Sequence, residues 1–100
     1  MVAPVENLTR LVGRVAERAP HPTLPDWDLV TLAVDRAEGV AGKADLLSRR
    51  ADRPLQVAVR RELLGDAGPG WRLDGRARVT AGGALLEAYP HEGDLRLSPP

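Results

Sequence analysis

The residues that most often carry chemistry are scarce in this 100-residue chain: two histidines, two serines, no cysteine. Without cysteine there is no disulfide, thiolate zinc site, iron–sulfur cluster or cysteine nucleophile. His21 and His91 each stand beside proline, seventy positions apart. A metal centre needs three or four convergent ligands, usually with local spacing such as His-x-x-x-His, and neither histidine has such a neighbour. Ser48 is followed by Arg49-Arg50 and Ser98 lies in the terminal tail, so no Gly-x-Ser-x-Gly elbow is present. The acid pairs Asp26/Asp28 and Glu92/Asp94 sit beside turn residues, where solvated carboxylates are the ordinary outcome. Lys43 is followed by Ala44, so the glycine clusters form no phosphate-binding loop and read as turns. The expectation is a protein that is not an enzyme, with no cofactor and no metal.

Arginine is the abundant functional side chain. Of fourteen basic residues only Lys43 is lysine, and fourteen acids bring the formal charge to zero. That balance argues against a dedicated nucleic-acid binder or a polybasic membrane module. Arg49, Arg50, Arg53, Arg60 and Arg61 cluster around the middle of the chain, while Arg72, Arg76 and Arg78 alternate along one segment. Asp52, Glu62 and Asp74 are interleaved, and with Trp27, Trp71 and Tyr89 as the whole aromatic complement the stacking platform of single-strand binders is missing, which favours a self-compensated, solvated face. The functional alternative is an Arg-rich protein-binding surface, because arginine is enriched at interface hot spots. Its candidate residues are Arg72, Arg76, Arg78, Tyr89, Arg60 and Arg61.

The elements that position these residues follow from periodicity. Over residues 4–19, Val5, Leu8, Val12, Val15 and Ala19 recur at three- and four-residue spacing, which predicts an amphipathic helix ended by Pro20 and Pro22. Trp27 to Asp35 predicts a strand, with Val30, Leu32 and Val34 on one face and Trp27, Leu29 and Thr31 on the other. A turn at 36–39 and a second strand over 40–48 complete a hairpin. Leu55 to Leu64 fits both periods, and its helix formers before Gly65 favour a short helix. Trp71 to Thr80 alternates most cleanly, followed by strands over 84–89 and 94–97. Trp27 and Trp71 each open a strand and are expected to anchor the core, alongside Leu8, Val12, Val15, Leu32, Leu73, Val79 and Leu86. The fold class expected is α+β, one domain over 1–100: an antiparallel sheet of four to five strands with the N-terminal helix packed on one face.

The serial pattern also resembles a known family. A helix ending at proline, the Trp-led segment Pro25-Asp26-Trp27-Asp28-Leu29, then Trp71-Arg72-Leu73 and the closing Ala81-Gly82-Gly83-Ala84-Leu85-Leu86-Glu87-Ala88-Tyr89 are similar to the YezG-like immunity proteins of bacterial polymorphic toxin systems. The resemblance implies a cytoplasmic, non-catalytic module that neutralises a cognate toxin by covering it. The alternative is a small nucleic-acid-associated or ligand-binding accessory domain using the same arginines. Self-association through an exposed strand edge is a further expectation. No apolar run approaches the ~20 residues needed to span a bilayer, so no membrane partner is expected.

Overall fold

The computed structural model of the protein describes residues 6–100. It is a mostly-β domain, not the expected α+β sandwich. In chain order it holds β1 (Thr9–Pro20), β2 (Trp27–Gly39), a 3-10 turn (Ser48–Arg50), β3 (Leu55–Arg60), α1 (Arg61–Leu64), β4 (Arg72–Thr80), β5 (Gly83–Leu86) and β6 (Arg96–Ser98). The strands lie in the order β1-β2-β3-β5-β4-β6, and β1 also pairs with β4. That second pairing closes five strands into a barrel and leaves β6 as an outer strand. All pairs are antiparallel except β3–β5, where Val57 and Ala58 run parallel to Ala84 and Leu85.

The expected N-terminal helix is absent among the described residues; Pro4 and Val5 lie outside them. The spacing that suggested it has a different cause. Leu11 and Val15 point into the barrel, while Val12 lies on the outer face and is still only 5% exposed. At Val12 both faces of β1 are therefore covered, and Leu8, Leu11, Val12 and Val15 mimic a helical stripe. An extra residue at Ala16 adds to the disguise. It has no partner between Val15↔Leu32 and Glu17↔Thr31, so the inward phase jumps from Val15 to Arg18.

Two further expectations need correction. The turn at 36–39 is still strand, because β2 runs on to Gly39 to pair with the start of β1. Residues 40–47 form a loop and not the second arm of a hairpin: it is held to the sheet by the bridge Asn7↔Ala44, by Thr9 donating to Asp45 and by Leu47 buried in the core. Leu55–Arg60 is a strand whose Leu55, Val57 and Val59 fill the barrel, and only Arg61–Leu64 is helical. The alternation of the Trp71–Thr80 segment is real: Leu73 and Ala77 are buried and Arg72 and Arg78 exposed.

β5 and β6 follow the same edge of β4 in the same direction. Ala77↔Leu86 belongs to the first pairing and Asp74↔Arg96 to the second, and the Glu87 amide donates to the Arg76 carbonyl at 3.0 Å. Residues 88–95 therefore leave the wall opposite the single residue Gly75, and this excursion carries Tyr89.

Closure demands close backbone approach. A Cβ on Gly13 would meet the Ala33 carbonyl oxygen at 2.3 Å, beside the register shift of the β1–β2 ladder. Backbone on both sides leaves no slack. Gly13→Ala is expected to destabilise the fold by roughly 2–3 kcal/mol, read as a lower urea midpoint with an unchanged m-value.

Candidate binding face

One end of the barrel is sealed by an ionic clamp built from three elements. The Ala16 bulge turns Arg18 inward, and Asp28 is the inward residue next to Trp27 on β2. Arg18 Nε donates to Asp28 Oδ2 at 2.8 Å, and Arg61 Nε donates to Oδ1 at 2.9 Å. Arg18 Nη1 also donates to the Gly65 and Ala67 carbonyls, tying the segment after α1 to the barrel wall. The Asp28 side chain is only 6% exposed. Burial pushes its carboxyl up, but the two guanidinium hydrogen bonds outweigh that and hold it below the usual carboxylate range. Arg61, one of the sequence-designated interface residues, is thus half committed to this clamp.

Arg76 is committed more fully. It donates to Glu87 at 2.7 and 3.1 Å and pairs with Asp94 at 3.1 Å, which fastens the 88–95 excursion to β4. Arg10 forms a bidentate pair with Asp74 on the same outer wall, at 2.9 and 3.0 Å. Glu87 and Asp74 respectively raise these two guanidiniums above the ordinary arginine value. Arg72 and Arg78 flank Arg76 and are exposed, but the three do not form one free basic stripe.

The remaining two designated residues, Arg60 and Tyr89, come together on a different wall. Alternation places Trp27, Leu29 and Thr31 of β2 outside, next to Arg60, Ala58 and Gln56 of β3. Leu29↔Ala58 and Ala58↔Leu85 continue across three strands as an apolar floor. Trp27 lies directly across from Arg60, and the Arg60 guanidinium sits 4.6 Å from the Tyr89 ring centre. Arg60 is held there by the Ala88 carbonyl at 2.8 Å and Glu62 at 2.7 Å. Tyr89 is 82% exposed. A groove of about 550 Å³ adjoins it, lined by Leu8 and Leu85, by the cations Lys43 and Arg78 and by the carboxylates Glu6 and Glu87.

Trp27 is the member that sequence reasoning assigned to the core. Trp71 does pack against the core cluster, whereas Trp27 is not part of it. The loop before it is shaped for its position. His21 Nδ1 accepts from the Thr23 and Leu24 amides, and Asp26 takes a left-handed φ of 66° while its carbonyl accepts from Arg61. His21 therefore works as a turn-forming acceptor, and His91 is exposed. No group of three or more His, Asp or Glu side chains able to hold a metal occurs among the described residues. No helix among them is long and apolar enough to cross a membrane.

A small five-stranded barrel of order 1-2-3-5-4-1, with parallel β3–β5 and a helix between β3 and β4, has the topology of an OB-type Greek-key barrel. No family model, curated protein or solved structure matches the chain.

The clamp generates a pH prediction. Because the folded-state pKa of Asp28 is depressed, its contribution is fully present above about 3.8 and is lost as pH falls through the folded value. Asp28→Asn is expected to cost about 2 kcal/mol at pH 7, leaving two guanidiniums without their carboxylate. The variant should also lose less stability than the wild type between pH 4 and pH 2, measured by urea unfolding at each pH.

Proposed function

We propose that the protein is a non-catalytic binding module whose β2–β3–β5 outer face takes a short stretch of single-stranded nucleic acid. The observation that carries this reading is the row Trp27–Arg60–Tyr89, a guanidinium 4.6 Å from the Tyr89 ring centre and directly across the ladder from Trp27, beside Leu29 and Leu85 with the buried Ala58 between them. Unstacked bases present flat apolar faces, and aromatic rings or arginine planes are what such faces stack on. Phosphates need cations close by. Arg78 along the adjoining groove supplies an unpaired one, while Arg60 in the row and Lys43 in the groove are paired with the exposed carboxylates of Glu62 and Glu6. On barrels of this topology the strand 2–3 face takes oligonucleotides and oligosaccharides, which is support by analogy of fold; the neighbouring cations favour the first.

A protein partner is the second reading, in line with the immunity-protein resemblance. Trp, Tyr and Arg are also the residues of protein hot spots, and a chain of zero net charge needs no polyanion to explain it. Salt separates the two, since a phosphate contact weakens steeply with ionic strength and a packed apolar interface does not.

Fluorescence anisotropy with a labelled oligothymidine tests the proposal. Binding should fall as salt rises, and Trp27→Ala should weaken it by about 5- to 100-fold, the loss of one stacked base. Tyr89→Ala should do the same without lowering the melting temperature, because that ring is almost wholly outside the fold. Salt-independent capture of a protein, with no oligonucleotide bound, would replace this reading with the second.

A further inference from the structure

The outer wall of β1–β4–β6 carries a cost that the fold does not explain. Arg14 and Arg72 are direct cross-strand partners, and both are exposed. Like charges placed opposite each other on a sheet destabilise it. Arg96 projects from β6 across from Asp74, but Asp74 is already occupied by Arg10. Arg14, Arg72 and Arg96 have no hydrogen bond or ion pair among the described residues, whereas Arg10, Arg18, Arg60, Arg61 and Arg76 are all paired. Arg36, Arg49, Arg50 and Arg78 are also unpaired among the described residues, but Arg14, Arg72 and Arg96 are the three gathered where β1, β4 and β6 run side by side.

We infer that Arg14, Arg72 and Arg96 form a second contact zone for the phosphate backbone of the strand that the aromatic face holds. This rests on the function proposed above. The two zones are joined along β2. From Trp27 the outward residues are Leu29, Thr31 and Ala33, none of them charged, and Ala33 pairs with Arg14. Glu17 and Gln56 border this corridor, each opposite Thr31. Six residues of strand plus one interstrand step make a path of roughly 25 Å. At the 3.4 Å per nucleotide of a stacked strand, four nucleotides span roughly 14 Å and fifteen span roughly 50 Å. A short ligand reaches the rings alone, and a longer one reaches both zones. Guanidinium groups suit the second zone because they grip phosphate through paired N–H donors and stay charged at every working pH.

The experiment compares fluorescein-labelled dT4 and dT15 across a salt titration, with wild type, Trp27→Ala and the double variant Arg14→Ala/Arg72→Ala. The double variant is expected to bind dT15 about ten-fold more weakly at moderate salt. Its log–log salt slope should be shallower by about 1.4, two phosphate contacts' worth, with dT4 affinity unchanged. Its melting temperature should stay equal or rise, because a like-charge pair has been removed. An unchanged dT15 slope overturns the second zone while leaving the aromatic face intact. A melting temperature lowered by several degrees makes the arginines structural and also overturns it. Displacement of dT15 by poly-glutamate as effectively as by unlabelled dT15 shows that the cluster reads negative charge on a polypeptide equally well, and rejects the phosphate assignment. Failure of the wild type to bind either oligonucleotide removes the proposed function, and the second zone with it.

Discussion

β1 is hydrogen-bonded along both edges, to β2 on one side and β4 on the other, and the remaining architecture depends on that double pairing. It turns a sheet, which would need a covering layer, into a barrel that is its own core. The interior is correspondingly narrow. Backbone approaches backbone at Gly13, and a Cβ on Gly75 would stand 3.0 Å from Leu86 and 3.1 Å from Leu95. Closure also removes most strand edges on which chains could add to one another. The outer edge left by β6 is three residues long and runs into Pro99 and Pro100, which cannot donate to a ladder. Every outward side chain of β2 and β3 then has no second layer to pack against. Apart from the small Ala58, which its neighbours cover, it meets either solvent or a partner.

The two outer walls use that freedom differently. At the root of the excursion, two guanidiniums are matched by three carboxylates, Arg10 with Asp74 and Arg76 with Glu87 and Asp94, although Arg14, Arg72 and Arg96 beside them stay unpaired. Those pairs are partly shielded and fix the excursion in place. Arg60, by contrast, is positioned by a carbonyl and an exposed carboxylate yet turns its π-face to Tyr89. Its guanidinium is held against the Tyr89 ring, on the strand position facing Trp27. A cluster of matched ions is already satisfied, whereas a wall of rings, short apolar residues and one oriented cation gains by being covered.

Much of the sheet could be read from the chain. The alternation in Trp71–Thr80 reported its burial faithfully, and the two faces of the Trp27 strand were sorted correctly. β1 could not be read, because covering Val12 from outside and inserting Ala16 converts a two-residue period into an apparent helical one. Ladder partners far apart in sequence, such as Thr9 with Ala77, leave no trace in local periodicity, so neither closure nor the parallel β3–β5 pair was visible. Of the candidate face, Arg60 and Tyr89 were named from the sequence and Trp27 was not. The signal existed: Trp27 shares the strand face of Leu29 and Thr31, opposite Val30, Leu32 and Val34. The expected helix supplied an imaginary layer for that face, and a tryptophan beneath a layer belongs to a core. Once the helix is gone, the same alternation places the ring outside.

The zero net charge deserves the same local treatment. Over a domain with extents of 35 × 28 × 28 Å, charges on opposite walls lie several screening lengths apart, since the Debye length is about 10 Å at 0.1 M salt. A ligand on one wall therefore responds to that wall and hardly to the sum. The acids on the β1–β4 wall are consumed pairwise by Arg10 and Arg76, and Asp28 is shared between two arginines inside the barrel end. Apart from the exposed Glu17 of β1 and Glu38 across from Arg10, what is left unpaired near β1 and β6 is cationic, although the total is not. Neutrality of the whole chain governs its solubility and long-range steering; it does not set the potential over Arg14, Arg72 and Arg96. The composition that argued against a phosphate ligand was an average over walls that do not feel one another.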